Sequence, residues 1–118
     1  MWKLDNNVLK DKANIWKSKN DWNFITEDNY IHIKNASKEK VLESSIDGKV
    51  IEESFTDGGN LEQLWIQGKT RTDGYFTLSS SESRKLMTAV SASVLEIKGN
   101  IVRFLFVCHA VSFNWSIP

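Results

Sequence analysis

A hydrolytic site needs a nucleophile with a base, or two carboxylates held a defined distance apart. Few residues of this chain could meet that need: His32, His109, Cys108, and the acidic pair Glu52-Glu53 with Asp57 nearby. His32 falls in an alternating stretch that reads as a strand and His109 in an apolar tail, and neither has a partner at a useful spacing. Adjacent residues on a strand point to opposite faces, so Glu52 and Glu53 cannot converge on one bond. Cys108, inside an apolar run, is expected to be inert. A Gly-rich phosphate loop, a His-x-x-x-His pair and a Cys-x-x-Cys motif are all missing from the sequence. The expectation is a protein that is not an enzyme and takes no metal or cofactor.

Composition narrows the class further. With 118 residues the chain is expected to be one small domain in which every segment contributes to a single core. The 15 basic and 15 acidic side chains cancel, so the broad positive field that nucleic-acid binding relies on is absent. Lysines crowd the segment from Lys3 to Lys40, but Asp and Glu are interleaved with them and the pattern reads as a solvated face. One cysteine allows no intrachain disulfide. The segment Met1-Trp2-Lys3-Leu4-Asp5 turns polar too early for a secretory signal, so a reducing, cytoplasmic setting is expected. In that setting the sequons at Asn35 and Asn114 carry no glycan. The longest apolar run, Ile101 to Phe113, contains Arg103 and His109 and is shorter than the roughly 18–20 residues of a membrane span.

The residues that position any site are written twice. Asn29-Tyr30-Ile31-His32-Ile33 repeats the order of Gly74-Tyr75-Phe76-Thr77-Leu78 at a separation of about 45 residues, within the range of repeat architectures. At the same separation Lys40-Val41-Leu42 falls on Lys85-Leu86-Met87, and Val50 falls on Leu95. Placing Trp22 on Trp65 brings Asn6-Asn7-Val8-Leu9 near Gly48-Lys49-Val50-Ile51, so the chain opens partway through a unit. Strands are predicted at Tyr30–Ile33, Val41–Leu42, Val50–Ile51, Tyr75–Leu78, Leu86–Ala89 and Val94–Ile97. The turns between them are Asn35–Glu39, Asp47-Gly48, Thr72-Asp73-Gly74 and Ser91–Ser93. Short strands at this spacing predict an all-β sandwich or barrel. After residue 97 the copy degrades. Residues 98–118 form an apolar tail that is either a buried strand or foreign to the repeat, and it is expected to pack on the barrel or to self-associate.

Gln63-Leu64-Trp65, followed by Gly74-Tyr75-Phe76-Thr77-Leu78, a Ser-rich turn and Lys85-Leu86, resembles the Gln-x-Trp unit of ricin B-type β-trefoil lectins. The resemblance covers residues 1–97 and implies a β-trefoil-like barrel with first and last units incomplete. In that family three units form a six-stranded barrel capped by three hairpins. It further implies a non-catalytic carbohydrate-binding module whose partner is a glycan or glycoprotein. A second copy or a partner domain would supply the missing barrel edge. The family's sugar contacts carry over onto Glu43 as acceptor, Phe55 with Glu53 as stacking platform, and Asn60, Glu62 and Gln63 beside the motif. The family prefers Asp at the Glu43 position, and the third unit has Thr88 there. Each residue also has a plainer reading: Gln63 as a loop tie, Trp65 as core, the three glutamates as solvated turn carboxylates, and Phe55 as either core or platform. A protein-interaction or structural trefoil with decayed sugar pockets is the alternative function.

Overall fold

The computed structural model of the chain describes residues 1–56 and 60–99, so the expectations placed on residues 100–118, including Cys108 and His109, lie outside the described residues. Asn6 and Asn7 take φ of 51° and 69°, the two left-handed residues that a type I′ hairpin requires and that asparagine tolerates. They join β1 (Trp2–Asp5) to β2 (Val8–Asp11), with Trp2 opposite Asp11 and Leu4 opposite Leu9. Asp28, at φ 55°, turns β3 (Trp22–Glu27) into β4 (Tyr30–Asn35), and the pair is in register from Trp22↔Asn35 to Glu27↔Tyr30. Asp47-Gly48 turns β5 (Lys40–Ser44) into β6 (Lys49–Ser54), with Gly48 at φ 86°. A single 3₁₀ turn, Leu61–Gln63, leads into β7 (Trp65–Lys69). The described chain then ends in β8 (Phe76–Ser80), β9 (Leu86–Ala89) and β10 (Leu95–Lys98).

These strands make an all-β, fully antiparallel structure. Seven of them, β4-β5-β6-β10-β9-β8-β7, close on themselves into a barrel through the β7–β4 pair. The β-trefoil resemblance implied six barrel strands. The ring is larger because the hairpins β5–β6 and β9–β10 also pair with each other, Val50 opposite Leu95 and Lys49 opposite Glu96. Strand β3 lies outside the ring on β4, and the β1–β2 hairpin joins β8 through Trp2 opposite Phe76. No helix among the described residues is long and apolar enough to cross a membrane.

The interior is built on indoles. Trp2, Trp22 and Trp65 are fully buried with Ile33 and Leu78, and Trp16 packs edge-on against Trp2 at 5.7 Å and tilted against Trp22 at 6.0 Å. A buried indole N–H must find an acceptor. Trp65 donates to the Leu42 carbonyl at 3.0 Å and Trp2 to the Met87 carbonyl at 3.0 Å, while Trp22 donates to Ser18 Oγ at 3.0 Å.

Two outcomes follow. Trp65→Phe leaves a cavity and an orphaned, buried Leu42 carbonyl, and is expected to lower unfolding stability by about 2–4 kcal/mol. Trp22→Phe releases only a part-buried serine hydroxyl that water can reach, so urea unfolding should show a clearly smaller loss; equal losses would contradict this account of the indole bonds. At the β5–β6 turn, Ser45 Oγ donates to Asp47 Oδ1 and the Lys49 N–H adds a second bond, holding the Asp47 carboxyl below its usual 3.8. Because the folded value lies below the unfolded one, this contribution is present above the unfolded value and is lost as pH falls through the folded one. A carboxyl-detected NMR titration should place the Asp47 midpoint below 3.8, and Ser45→Ala should raise it.

Candidate functional site

The six residues singled out in the sequence gather where β5, β6 and the 3₁₀ turn meet. Glu43 is half-buried on β5 opposite Ile51, and Glu53 is exposed on β6 opposite Val41, which puts both carboxylates on one face of the hairpin. Gln63 is 1% exposed and its amide is fully engaged. It donates to Glu43 Oε1 at 3.0 Å and to the Ser54 carbonyl at 2.8 Å, and its own oxygen accepts from the Thr56 N–H at 2.9 Å. Phe55, flanked by those two anchored residues, is half-buried, with its ring perpendicular to that of His32 at 4.9 Å. Asn60 caps the turn by accepting from the Glu62 N–H at 3.2 Å, and the Glu62 carbonyl lies 3.4 Å from the Ser44 hydroxyl.

The roles therefore divide. Gln63 has no hydrogen left to donate to a ligand, so it positions Glu43 instead of touching what Glu43 holds. Glu43 keeps Oε2 and the remaining lone pairs of Oε1 for an outside donor. Phe55 presents only the part of its ring that His32 leaves uncovered. Glu52, on the other face of β6, accepts from Asn35 Nδ2 at 3.2 Å, consistent with its divergence from Glu53. The arrangement is a shallow surface of acceptors beside one aromatic edge.

His32 has a partner that the sequence reading missed. It is 2% exposed, and its Nε2 lies 2.8 Å from Glu27 Oε1. The two are diagonal neighbours on one face of the β3–β4 hairpin, where Glu27 opposes Tyr30 and Ile25 opposes His32. Recognising Trp22–Glu27 as a strand would have revealed the pair. The Nδ1 of His32 has no hydrogen-bond partner among the described residues. No group of three or more potential metal ligands occurs among the described residues.

Three clefts lie elsewhere. One of about 600 Å³ runs between β1–β2 and β8–β9, over Trp2, Leu78 and Met87. A second, of about 370 Å³, is floored by Trp16 and Trp22 between the hairpins. A third, of about 510 Å³, sits at the β7–β8 turn around Tyr75. None of the six residues lines any of these three. The chain matches no protein-family model, no curated protein and no solved structure.

The Gln63 amide makes a sharp test. Gln63→Glu removes both donated bonds and sets a second carboxylate against Glu43, so a loss of about 3–5 kcal/mol is expected at neutral pH. The new buried carboxyl has a raised folded pKa. Below the ordinary glutamate value of about 4.3 the protonated group can restore one of the two donated bonds, so the deficit is smaller there and widens as pH rises above it. Urea unfolding at acidic and neutral pH measures this, and an equal deficit at both would remove the proposed Glu43–Gln63 contact.

Proposed function

We propose that this chain is a non-catalytic carbohydrate-binding module on a β-trefoil-like barrel, similar to ricin B-type lectins, with a saccharide held at Glu43 and Phe55. The observation that carries the reading is the Gln63 amide, which fixes the Glu43 carboxylate beside the Ser54–Thr56 segment that bears Phe55. A carboxylate so oriented accepts from two vicinal hydroxyls while an aromatic edge meets the sugar's C–H face. Asn60, Glu62 and Glu53 stand at the rim as further polar contacts.

The trefoil part of the reading is supported by positions about 45 residues apart with like environments. Ile33 and Leu78 are both wholly buried, as are Asn35 and Ser80, and Leu42 and Met87 each receive an indole N–H at the backbone carbonyl. The residues before Trp22 and Trp65 also match: the Asp21 carbonyl accepts from Ala36 N–H, and the Leu64 carbonyl from Ser81 N–H, just past the following strand in each case. Shallow single sites bind weakly, so a second copy or a partner domain would raise avidity on a glycan or glycoprotein, in a cytoplasmic setting. One observation favours the interaction reading instead. Ile46 at the tip of the β5–β6 hairpin is fully exposed, and Val90 and Val94 flank the β9–β10 turn with 42% and 37% exposure.

Isothermal titration of the full chain against hits from a glycan array tests the proposal. Glu43→Gln keeps an oxygen for the Gln63 donor but removes the charge, and is expected to weaken binding about tenfold, the scale of one charge-assisted hydrogen-bonding group. Glu39→Gln, at the exposed β4–β5 turn, should leave it unchanged. Binding that survives Glu43→Gln intact, or an array with no hit, would discard this site, and loss of self-association in Ile46→Ser would then favour the interaction reading.

A further inference from the structure

The β1–β2 hairpin turns one face to the core and the other to solvent. Trp2, Leu9 and Asp11 are buried, whereas Lys3, Lys10 and Lys12 are exposed. Lys3 stands opposite Lys10, and the ladder runs one step further through the Lys12 N–H to the Met1 carbonyl, so all three ammonium groups project from the same face. The ion pairs among the described residues involve Lys34, Lys49, Lys98 and His32, so none neutralises this trio.

Two of the three converge on one ring. Lys3 Nζ and Lys12 Nζ each lie 5.9 Å from the centroid of Tyr75. The backbone of Tyr75 is held from both sides, its N–H by the Thr72 carbonyl at 3.1 Å and its carbonyl by Thr70 Oγ1 at 2.9 Å, so the base from which the ring projects is fixed. A single cation on an aromatic face is worth only about 0.5–1 kcal/mol at an exposed site, and a second like charge on the same ring subtracts from that by repulsion. An anion placed between them reverses the sign of that term.

The same tyrosine lines the 510 Å³ cleft, together with Gln67, Lys69, Thr72, Asp73 and Phe76. A bare inorganic anion would occupy a small part of such a volume, which lies in the range of small-ligand sites. Its rim mixes an ammonium, an amide and a carboxylate, the donors and acceptors that hydroxyl groups pair with, around aromatic rings. We propose that Lys3, Lys12 and Tyr75 with this cleft form a binding site for an acidic saccharide, with its sulfate or carboxylate between the two ammonium groups and its hydroxylated ring in the cleft. The site is separate from the Glu43–Gln63 cluster, and neither depends on the other.

The test titrates the full chain, by ¹⁵N NMR and calorimetry, with a sulfated hexasaccharide, its desulfated counterpart and sodium sulfate. The sulfated probe should shift the amides of Lys3, Lys12 and residues 72–76. Lys3→Gln with Lys12→Gln should weaken it about tenfold, whereas Lys38→Gln with Lys40→Gln, which removes the same charge from the β4–β5 turn and the start of β5, should change it by less than about twofold. Tyr75→Leu should weaken it without removing charge. Equal losses in both lysine pairs would reduce the effect to non-specific attraction and overturn the proposal. Equal shifts of those same amides by the desulfated probe, sodium sulfate matching the saccharide in affinity there, or no shift of them by the sulfated probe would overturn it as well. Amide shifts at Lys3, Lys12 and residues 72–76 report this site and shifts at Glu43, Phe55 and Gln63 report the other, so failure here and failure of the other site are read separately.

Discussion

The buried amide of Gln63 is the constraint on which the rest of this structure turns. The connection from β6 to β7 is the longest between consecutive strands of the barrel, and where it returns to the barrel at the buried Gln63 the polar groups taken from water must be satisfied. Gln63 does this with one side chain, reaching Ser54, Thr56 and Glu43 at once. Serines complete the seam. Ser81 Oγ donates to the Leu61 carbonyl at 2.8 Å, and the hydroxyls of Ser44 and Ser80 meet at 3.0 Å in the interior, joining β5 to β8. Small hydroxyls suit this place because they satisfy the crossing backbone without displacing the indoles beneath it. The network also puts Trp65, two residues past Gln63, where its N–H can cap the Leu42 carbonyl.

Closure of the barrel depends on this seam and on a second, weaker contact. β3 pairs with the whole length of β4, while β7 and β5 pair with it at Ile31 and Lys34, and His32 meets Phe55 on the side away from Ile31 and Ile33. The Val50–Leu95 and Lys49–Glu96 pairs join two hairpins that would otherwise end in free edges. Phe24 and Phe76 meet edge to face at 5.7 Å, a side-chain contact between the outlying strand β3 and β8.

Much of this was legible in the sequence, for physical reasons that can be named. The strands at Tyr30, Val41, Val50, Tyr75, Leu86 and Val94 lie between turn residues whose backbone preferences are strong, and Gly48 and Gly74 take the positive φ that their positions suggested. Trp22–Glu27 was not recognised, because Phe24 and Ile25 in succession break the alternation and Thr26 and Glu27 carry no core signal. With that strand went the Glu27–His32 pair, which exists only through cross-strand register. Of the barrel strands, β7 was not predicted, because Gln67, Gly68 and Lys69 carry little strand signal, and the β6–β10 pairing that helps close the ring joins residues about 45 apart and leaves no local trace. For the candidate site, the sequence could gather Glu43, Phe55 and Gln63 but could not show that the Gln63 amide would be fully spent on the chain's own groups.

Zero net charge conceals an uneven distribution. On β5, β6 and the following turn, Glu43, Glu52, Glu53 and Glu62 share a region with few cations, and on the β1–β2 hairpin Lys3, Lys10 and Lys12 share a face without a carboxylate in ion-pair contact. Fields of opposite sign cancel at distances beyond the Debye length of about 8 Å at physiological salt, yet each persists at contact range. A chain of this kind exerts no long-range pull on a polyanion such as a nucleic acid, in keeping with its balanced composition. A ligand already at the surface still meets a strongly signed patch. On such a surface local geometry decides which groups a ligand could meet together, and it is local hydrogen bonds that orient the Glu43 carboxylate through Gln63 and hold the Tyr75 backbone through Thr70 and Thr72.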